Sequence, residues 1–295
     1  MEPSSLRIAV GIATMGRPKI LRFAQEELAR QSRPPERVLI CAPTAGDIEG
    51  CNTGPDVALI LGPRGLTRQR NAILSQVSEF DILVFFDDDF FPMPNYIAEI
   101  ERLFQEQHDI VMATGLVIAD GIIGPGLGIE AARDFLQRSP PPGGNPKQLR
   151  EIENGYGCNM AVRLAAVRAG DCRFDERLPL YGWLEDVDFS RQLSRHGRIV
   201  QSVAVRGVHL GIKSGRQSGM RLGYSQIANP IYLLRKGTCP WPRALRLMSR
   251  NTAANFLRAF RPEPYIDRLG RLAGNFSAFG DLLAGRLDPE RIMEL

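Results

Sequence analysis

Three adjacent carboxylates, Asp87, Asp88 and Asp89, follow directly on the apolar run Ile82-Leu83-Val84-Phe85-Phe86. Three neighbouring anions repel one another unless a cation or hydrogen bonds neutralise them. Oxygen ligands suit hard divalent cations such as Mg²⁺ or Mn²⁺, which often bring a phosphate with them. The chemistry on offer is a metal–phosphate site; the alternative is an acidic turn capping a helix that opens at Pro94. A second cluster, Glu185-Asp186-Val187-Asp188, sits where a helix from Trp183 to His196 is predicted. Asp186, Phe189 and Leu193 share one face of it, at i, i+3 and i+7. Phe189 and Leu193 favour the core, so Asp186 falls at the edge of a buried surface, where a carboxylate can serve as general base. Its alternative is an acidic first turn favoured by the helix dipole. Arg68 and Arg70, in the first turn of a helix opening at Gly65, read as a phosphate contact or as a solvent-facing basic turn.

These groups need elements to position them. The apolar run before Asp87 has no alternation, which suits a strand buried on both faces of a parallel sheet. Its acids then lie at the strand's C-terminal end, where open α/β sheets bind ligands. Residues 6–14, 37–42, 57–60 and 110–115 read as further strands. Helices are predicted after Pro18 and from Pro94 to Gln107, with Ile97, Ile100, Leu103 and Phe104 facing inward. Strand, helix, strand in that order implies a right-handed crossover and a parallel sheet. No Gly-x-Gly-x-x-Gly follows the first strand, which weakens a dehydrogenase reading. Residues 120–146, with four glycines between Gly121 and Gly128 and a proline-rich end, read as a loop, either an active-site flap or an insertion.

At 295 residues the chain is long enough for one large α/β domain plus an appendage. No run approaches the length of a membrane span. Residues Met1 to Leu6 show no basic segment followed by an apolar one, so no signal peptide is expected. The five cysteines, Cys41, Cys51, Cys158, Cys172 and Cys239, lack Cys-x-x-Cys spacing and fit reduced cytoplasmic thiols. From Arg191 to the C-terminus there are 18 Lys and Arg against 6 Asp and Glu, a net +12, while the whole chain carries +4. The preceding part is therefore net −8. A split of this size points to a polyanionic partner or to a solvated basic face. Beyond residue 216, aromatic and arginine residues in short predicted helices fit a membrane-surface site, a helical subdomain or an oligomer interface.

The order of these features resembles a family 2 glycosyltransferase of the GT-A fold, over roughly residues 6 to 210. The resemblance is carried by Thr14 with Arg17-Pro18, Arg68-Gln69-Arg70-Asn71, Phe85-Phe86-Asp87-Asp88-Asp89, Gly157-Cys158-Asn159-Met160-Ala161, Phe174-Asp175-Glu176 and Glu185-Asp186-Val187-Asp188. It implies a Rossmann-like, mixed and mainly parallel sheet flanked by helices over residues 1–215, with a basic, mainly helical extension over 216–295. It also implies inverting, metal-dependent sugar transfer from a nucleotide-diphosphate donor, a UDP-sugar being favoured, to a glycan or lipid-linked acceptor. By the same resemblance Asp89 coordinates Mg²⁺ or Mn²⁺, with Asp87 and His209 beside it. Asp87 or Asp88 holds the donor's ribose or sugar. Thr14, Arg17, Arg70 and Asn71 surround the nucleotide, and Lys213 and Arg216 clamp phosphate. Asp186 is the base, with Glu185, Gly182 and Trp183 at the acceptor. Relatives commonly place an acid at the end of the second strand to read the base; here Ala42-Pro43 stands there, and Asp47 or backbone groups take that role.

The resemblance places the chain in the cytoplasm or peripherally on the inner face of a membrane, in polysaccharide or glycolipid assembly. Nucleic acid is not among its expected partners, and its oligomeric state is open. Two other readings are a sugar-nucleotide pyrophosphorylase and a catalytically silent sugar-nucleotide-binding subunit. The first lacks its glycine-rich nucleotidyl loop near the first strand, and the second does not explain why both Asp89 and Asp186 are present.

Overall fold

The structure, a computed structural model, describes residues 5–140, 148–213 and 218–295. The chain opens with β1 (Ile8–Ala13), α1 (Pro18–Leu28), β2 (Arg37–Ala42), β3 (Val57–Leu61) and α2 (Leu66–Leu74). There follow β4 (Ile82–Asp87), β5 (Phe90–Pro92), α3 (Tyr96–Glu106), β6 (Ile110–Asp120), α4 (Ile129–Arg138) and β7 (Leu149–Glu151). Then come β8 (Asn159–Arg163), α5 (Leu164–Ala169), α6 (Glu185–Leu193), β9 (Arg198–His209), α7 (Gly219–Lys236), α8 (Trp241–Arg258) and α9 (Arg268–Leu283). They form two compact units. The first comprises Met1–Arg64, Arg68–Arg173 and Gln192–Gly215, and the second Gly65–Thr67, Phe174–Arg191 and Arg216–Leu295.

The first unit is a mixed sheet in the order β3-β2-β1-β4-β8-β6-β9-β5, with β7 paired to β9. β1 runs parallel to β2 and β4, and β6 runs parallel to β9. β8 is antiparallel to both β4 and β6, so β1, β4, β6 and β9 all point the same way. The apolar runs of β1 and β4 are buried on both faces, as their lack of alternation requires. Ile8, Val10, Ile12, Val84 and Phe86 join Leu21 of α1 and Ile97 and Ile100 of α3 in one core. Pro18 opens α1, where a missing N–H costs no hydrogen bond.

Two sequence expectations are corrected. β6 does not stop at Gly115 but continues to Asp120, because β9 pairs along it through register shifts. The stretch read as a loop holds a 3₁₀ turn at Gly121–Ile123 and the helix α4, anchored by buried Ala132. The surrounding glycines masked that helix, and residues 141–147 lie outside the described ones.

In the second unit α7, α8 and α9 pack together around Tyr224, Ile227, Ala228, Met248 and Ala278. α7 and α9 approach closely: a Cβ on Gly223 would lie 2.0 Å from the Arg271 carbonyl oxygen, and one on Gly274 would lie 2.1 Å from that of Met220. Polar side chains cross the same interface. Asn255 of α8 donates to Gln226 of α7 at 2.8 Å and to Asn275 of α9 at 2.9 Å. The expected helical extension is thus present.

Candidate active site

The parallel strands β1, β4, β6 and β9 end at one edge of the sheet, the edge at which α/β folds bind ligands. There the register brings Asp87 beside Ala13, and His209 beside both Asp120 and Phe90. Chain-distant residues meet because the strand order, not the sequence, makes them neighbours.

The three adjacent aspartates have different surroundings. Asp87 lies 2.9 Å from Nη2 of Arg70, itself buried, which also donates to the Gly157 carbonyl at 2.7 Å and lies over the Phe85 ring. Asp88 is fully buried, accepting from the Thr14 hydroxyl at 2.6 Å and pairing with Arg17 Nη2 at 2.6 Å. Burial pushes its carboxyl up to about 7, against the pull of Arg17. Asp89 pairs with Arg17 Nη1 at 3.3 Å, faces His209 Nε2 at 3.5 Å and accepts from the Ile212 N–H at 2.8 Å. Burial works against its charge, but these partners outweigh it and hold the carboxyl at about 2. For His209 burial also opposes the charge, yet Asp120 at Nδ1, 2.9 Å away, and Asp89 lift the imidazole to about 10.

The ligand atoms of Asp87, Asp89 and His209 all lie within 4.8 Å of one another. Two carboxylates and one imidazole fit a divalent cation of the Mg²⁺ or Mn²⁺ kind. Asp120 holds the ring from behind and is itself bonded by the Tyr156 hydroxyl at 2.9 Å. Neither Asp120 nor Tyr156 stands out in the sequence; an aspartate before a glycine reads as a turn residue until β6 and β9 are paired. Lys213 donates to the carbonyls of Gly121 and Ile122, at 3.1 and 2.8 Å. Only glycine fits where these segments cross, since a Cβ on Gly121 would lie 2.0 Å from the Leu210 carbonyl oxygen.

Of the residues expected around the donor, Thr14, Arg17, Arg70, Asp87, Asp88, Asp89 and His209 form one connected cluster in the first unit. Asn71 is half-buried beside Arg70 on α2, and Arg216 lies outside the described residues. Asp47 is engaged with nearby loops, its carboxylate accepting from the Gly16 N–H at 2.6 Å and the Thr44 N–H at 3.0 Å.

Gly182, Trp183, Glu185 and Asp186 lie in the second unit. α6 starts at Glu185 rather than Trp183, because Leu180, Gly182 and Leu184 before it all have positive φ. For leucine this conformation costs of order 1 kcal/mol each and needs support from its surroundings. The Leu66 N–H donates to Leu180 O at 2.8 Å, and Asn229 Nδ2 donates to Trp183 O at 2.7 Å. Glu185 is buried and Asp186 half-buried. Asp188, fully buried, accepts from Lys236 and from the Thr238 hydroxyl, each at 2.7 Å. Lys236 also reaches Asp175 at 2.6 Å.

Residues 44–170 match the family model described as Glycosyl transferase family 2, so the family resemblance read from the sequence holds across that segment. No curated protein matches the chain. Solved structures share its fold. Staphylococcus aureus TarS 1-349 in complex with UDP-GlcNAc superposes with a TM-score of 0.54 at 15% identity, over 97% of this chain and 83% of that one. The mannosyltransferase PcManGT of Pyrobaculum calidifontis, in complex with GDP-Man and Mn²⁺, gives 0.54 at 15% identity, over 98% and 86%. GalNAc-T7 with UDP, GalNAc and Mn²⁺ gives 0.56 at 14% identity, over 96% of this chain and 59% of that one. The fold is therefore of the GT-A type, a mixed sheet flanked by helices with a helical C-terminal region.

Proposed function

We propose that the protein is an inverting, metal-dependent glycosyltransferase that moves a sugar from a nucleotide-diphosphate donor to a hydroxyl of a glycan or lipid-linked acceptor. The observation that carries this reading is the convergence of Asp87, Asp89 and His209 at the ligand-binding edge of the sheet. The cation, when bound, neutralises negative charge on the donor diphosphate. Asp87, Asp89 and His209 would hold it; Mn²⁺ and Mg²⁺ both suit the set.

The remaining roles belong to the chain. Arg70 fixes Asp87, and Asp120 fixes the His209 ring. Asp88 ties Arg17 to Thr14 at the nucleotide. Asn71 and Lys213 complete the donor side, with Arg216 assigned there by resemblance. Asp186 takes the proton of the acceptor hydroxyl, while Glu185, Gly182 and Trp183 orient the acceptor. On this reading residues 1–215 are the catalytic domain and 216–295 its extension. A UDP-sugar is the favoured donor, and a lipid-linked acceptor entails peripheral association with a membrane from the cytoplasmic side.

The first test is thermal melting with Mn²⁺ and a panel of nucleoside diphosphates and nucleotide sugars. A ligand that binds only the folded state raises the melting temperature, so one nucleotide should do so, and only with metal. No shift with any nucleotide would overturn the donor site. The second is Asp186→Asn, which is expected to keep the nucleotide-dependent shift and lose transfer. Transfer near the parent rate would remove Asp186 as the base.

A further inference from the structure

Between Asp188 and Glu263 the sequence contains no Asp or Glu. Within that stretch α8 presents Ala244, Met248 and Asn255 inward, all buried. Two adjacent stripes run along its outer side. Leu245, Ser249, Phe256 and Phe260 follow one another at i, i+4, i+11 and i+15, and every one is exposed. Arg246, Arg250, Leu257 and Arg261 repeat that spacing one residue further on and are also exposed. Phe260 and Arg261 lie just past the end of the helix. There the rings of Phe256 and Phe260 meet edge to face at 5.7 Å, and Phe260 remains 76% exposed. The next acid, Glu263, is neutralised by Arg258 at 2.8 Å and Arg268 at 2.7 Å.

An apolar stripe beside an acid-free basic stripe is the signature of an interfacial helix. The charge selects the partner. A second copy meeting the same face across a two-fold axis would set arginine against arginine. An anionic surface instead complements it, the arginines resting on phosphates while the aromatic and aliphatic groups leave water. Among the described residues no helix is long and apolar enough to cross a membrane.

We propose that the outer face of α8 and the turn after it dock the protein onto an anionic lipid bilayer. Phe256, Leu257 and Phe260 enter the headgroup layer, and Arg246, Arg250 and Arg261 contact lipid phosphates. This deepens the peripheral association proposed above by naming its surface. Its failure is separable from failure of the donor site, because metal- and nucleotide-dependent melting requires no lipid.

The test is flotation of the full chain with vesicles of phosphatidylcholine alone or mixed with phosphatidylglycerol. Flotation with the mixed vesicles only, weakened by salt, is expected. Arg250→Gln combined with Arg261→Gln should lower vesicle affinity roughly 30-fold. Leu257→Ser combined with Phe260→Ser should lower it as well, and all four side chains are exposed, so melting temperature should hold. Equal flotation with neutral vesicles, flotation with neither, or unchanged affinity in both double variants would overturn the proposal. So would self-association that Leu257→Ser with Phe260→Ser abolishes, since the face would then belong to a second copy.

Discussion

His209 shows how one side chain can be set by its neighbour. Its Nδ1 is engaged by Asp120 at 2.9 Å, which turns Nε2 toward Asp89. Second-layer carboxylates of this kind govern ring orientation and ligand basicity. Asp120→Asn keeps the shape and removes the charge. Mn²⁺ affinity measured by calorimetry should fall about 10–100-fold with the fold intact. Unchanged affinity would exclude the imidazole from the ligand set. The three aspartates were legible in the sequence because no other run places so much negative charge after so apolar a strand. Their division of labour was not. Asp88 turns inward to Thr14 and Arg17 while Asp87 and Asp89 converge with His209, and no property of three identical side chains predicts that.

Elements were legible where burial is uniform. β1 and β4 announce themselves by unbroken apolar runs, and α3 by its inward face of Ile97, Ile100, Leu103 and Phe104. The left-handed residues at Leu180 and Leu184 were not legible, since leucine gives no local sign of positive φ and the conformation is imposed from outside. The contact between α7 and α9 was equally hidden, because Gly223 and Gly274 read as helix-weakening residues until the two backbones are seen to touch. There the absent side chain is what permits the approach. Gly274→Ala should separate the helices and destabilise the protein by about 1–3 kcal/mol in urea unfolding, despite the higher helix propensity of alanine. A gain in stability would show that the helices are free to slide.

At the scale of the molecule, the second unit is assembled from three separate parts of the chain. Lys236 helps hold its parts together by bridging Asp175 and Asp188. Burial works against the charges of both Asp175 and Lys236, and their hydrogen bonds outweigh it. Asp175 is held below its ordinary 3.8 and Lys236 above its ordinary 10.5. The stabilisation is therefore complete above the ordinary aspartate value and below the ordinary lysine value. It is lost as acid titrates Asp175 further down, or as alkali titrates Lys236 further up. Lys236→Met should cost about 2–3 kcal/mol, a buried-pair loss reduced by the partial exposure of the lysine. Urea unfolding should show that cost as nearly constant from about pH 5 to 9. A loss confined to one end of that window would contradict the bridge.

The acidic turn and the C-terminal helices are also joined by the Tyr232 hydroxyl on Asp175 and by Asn229 on Trp183. The tail is consequently no exchangeable cassette. A chimaera that replaced residues 216–295 with another protein's tail would strip Glu185 and Asp186 of the scaffold that shapes their turn. Tail and turn are therefore one physical unit, and altering the first withdraws support from the second.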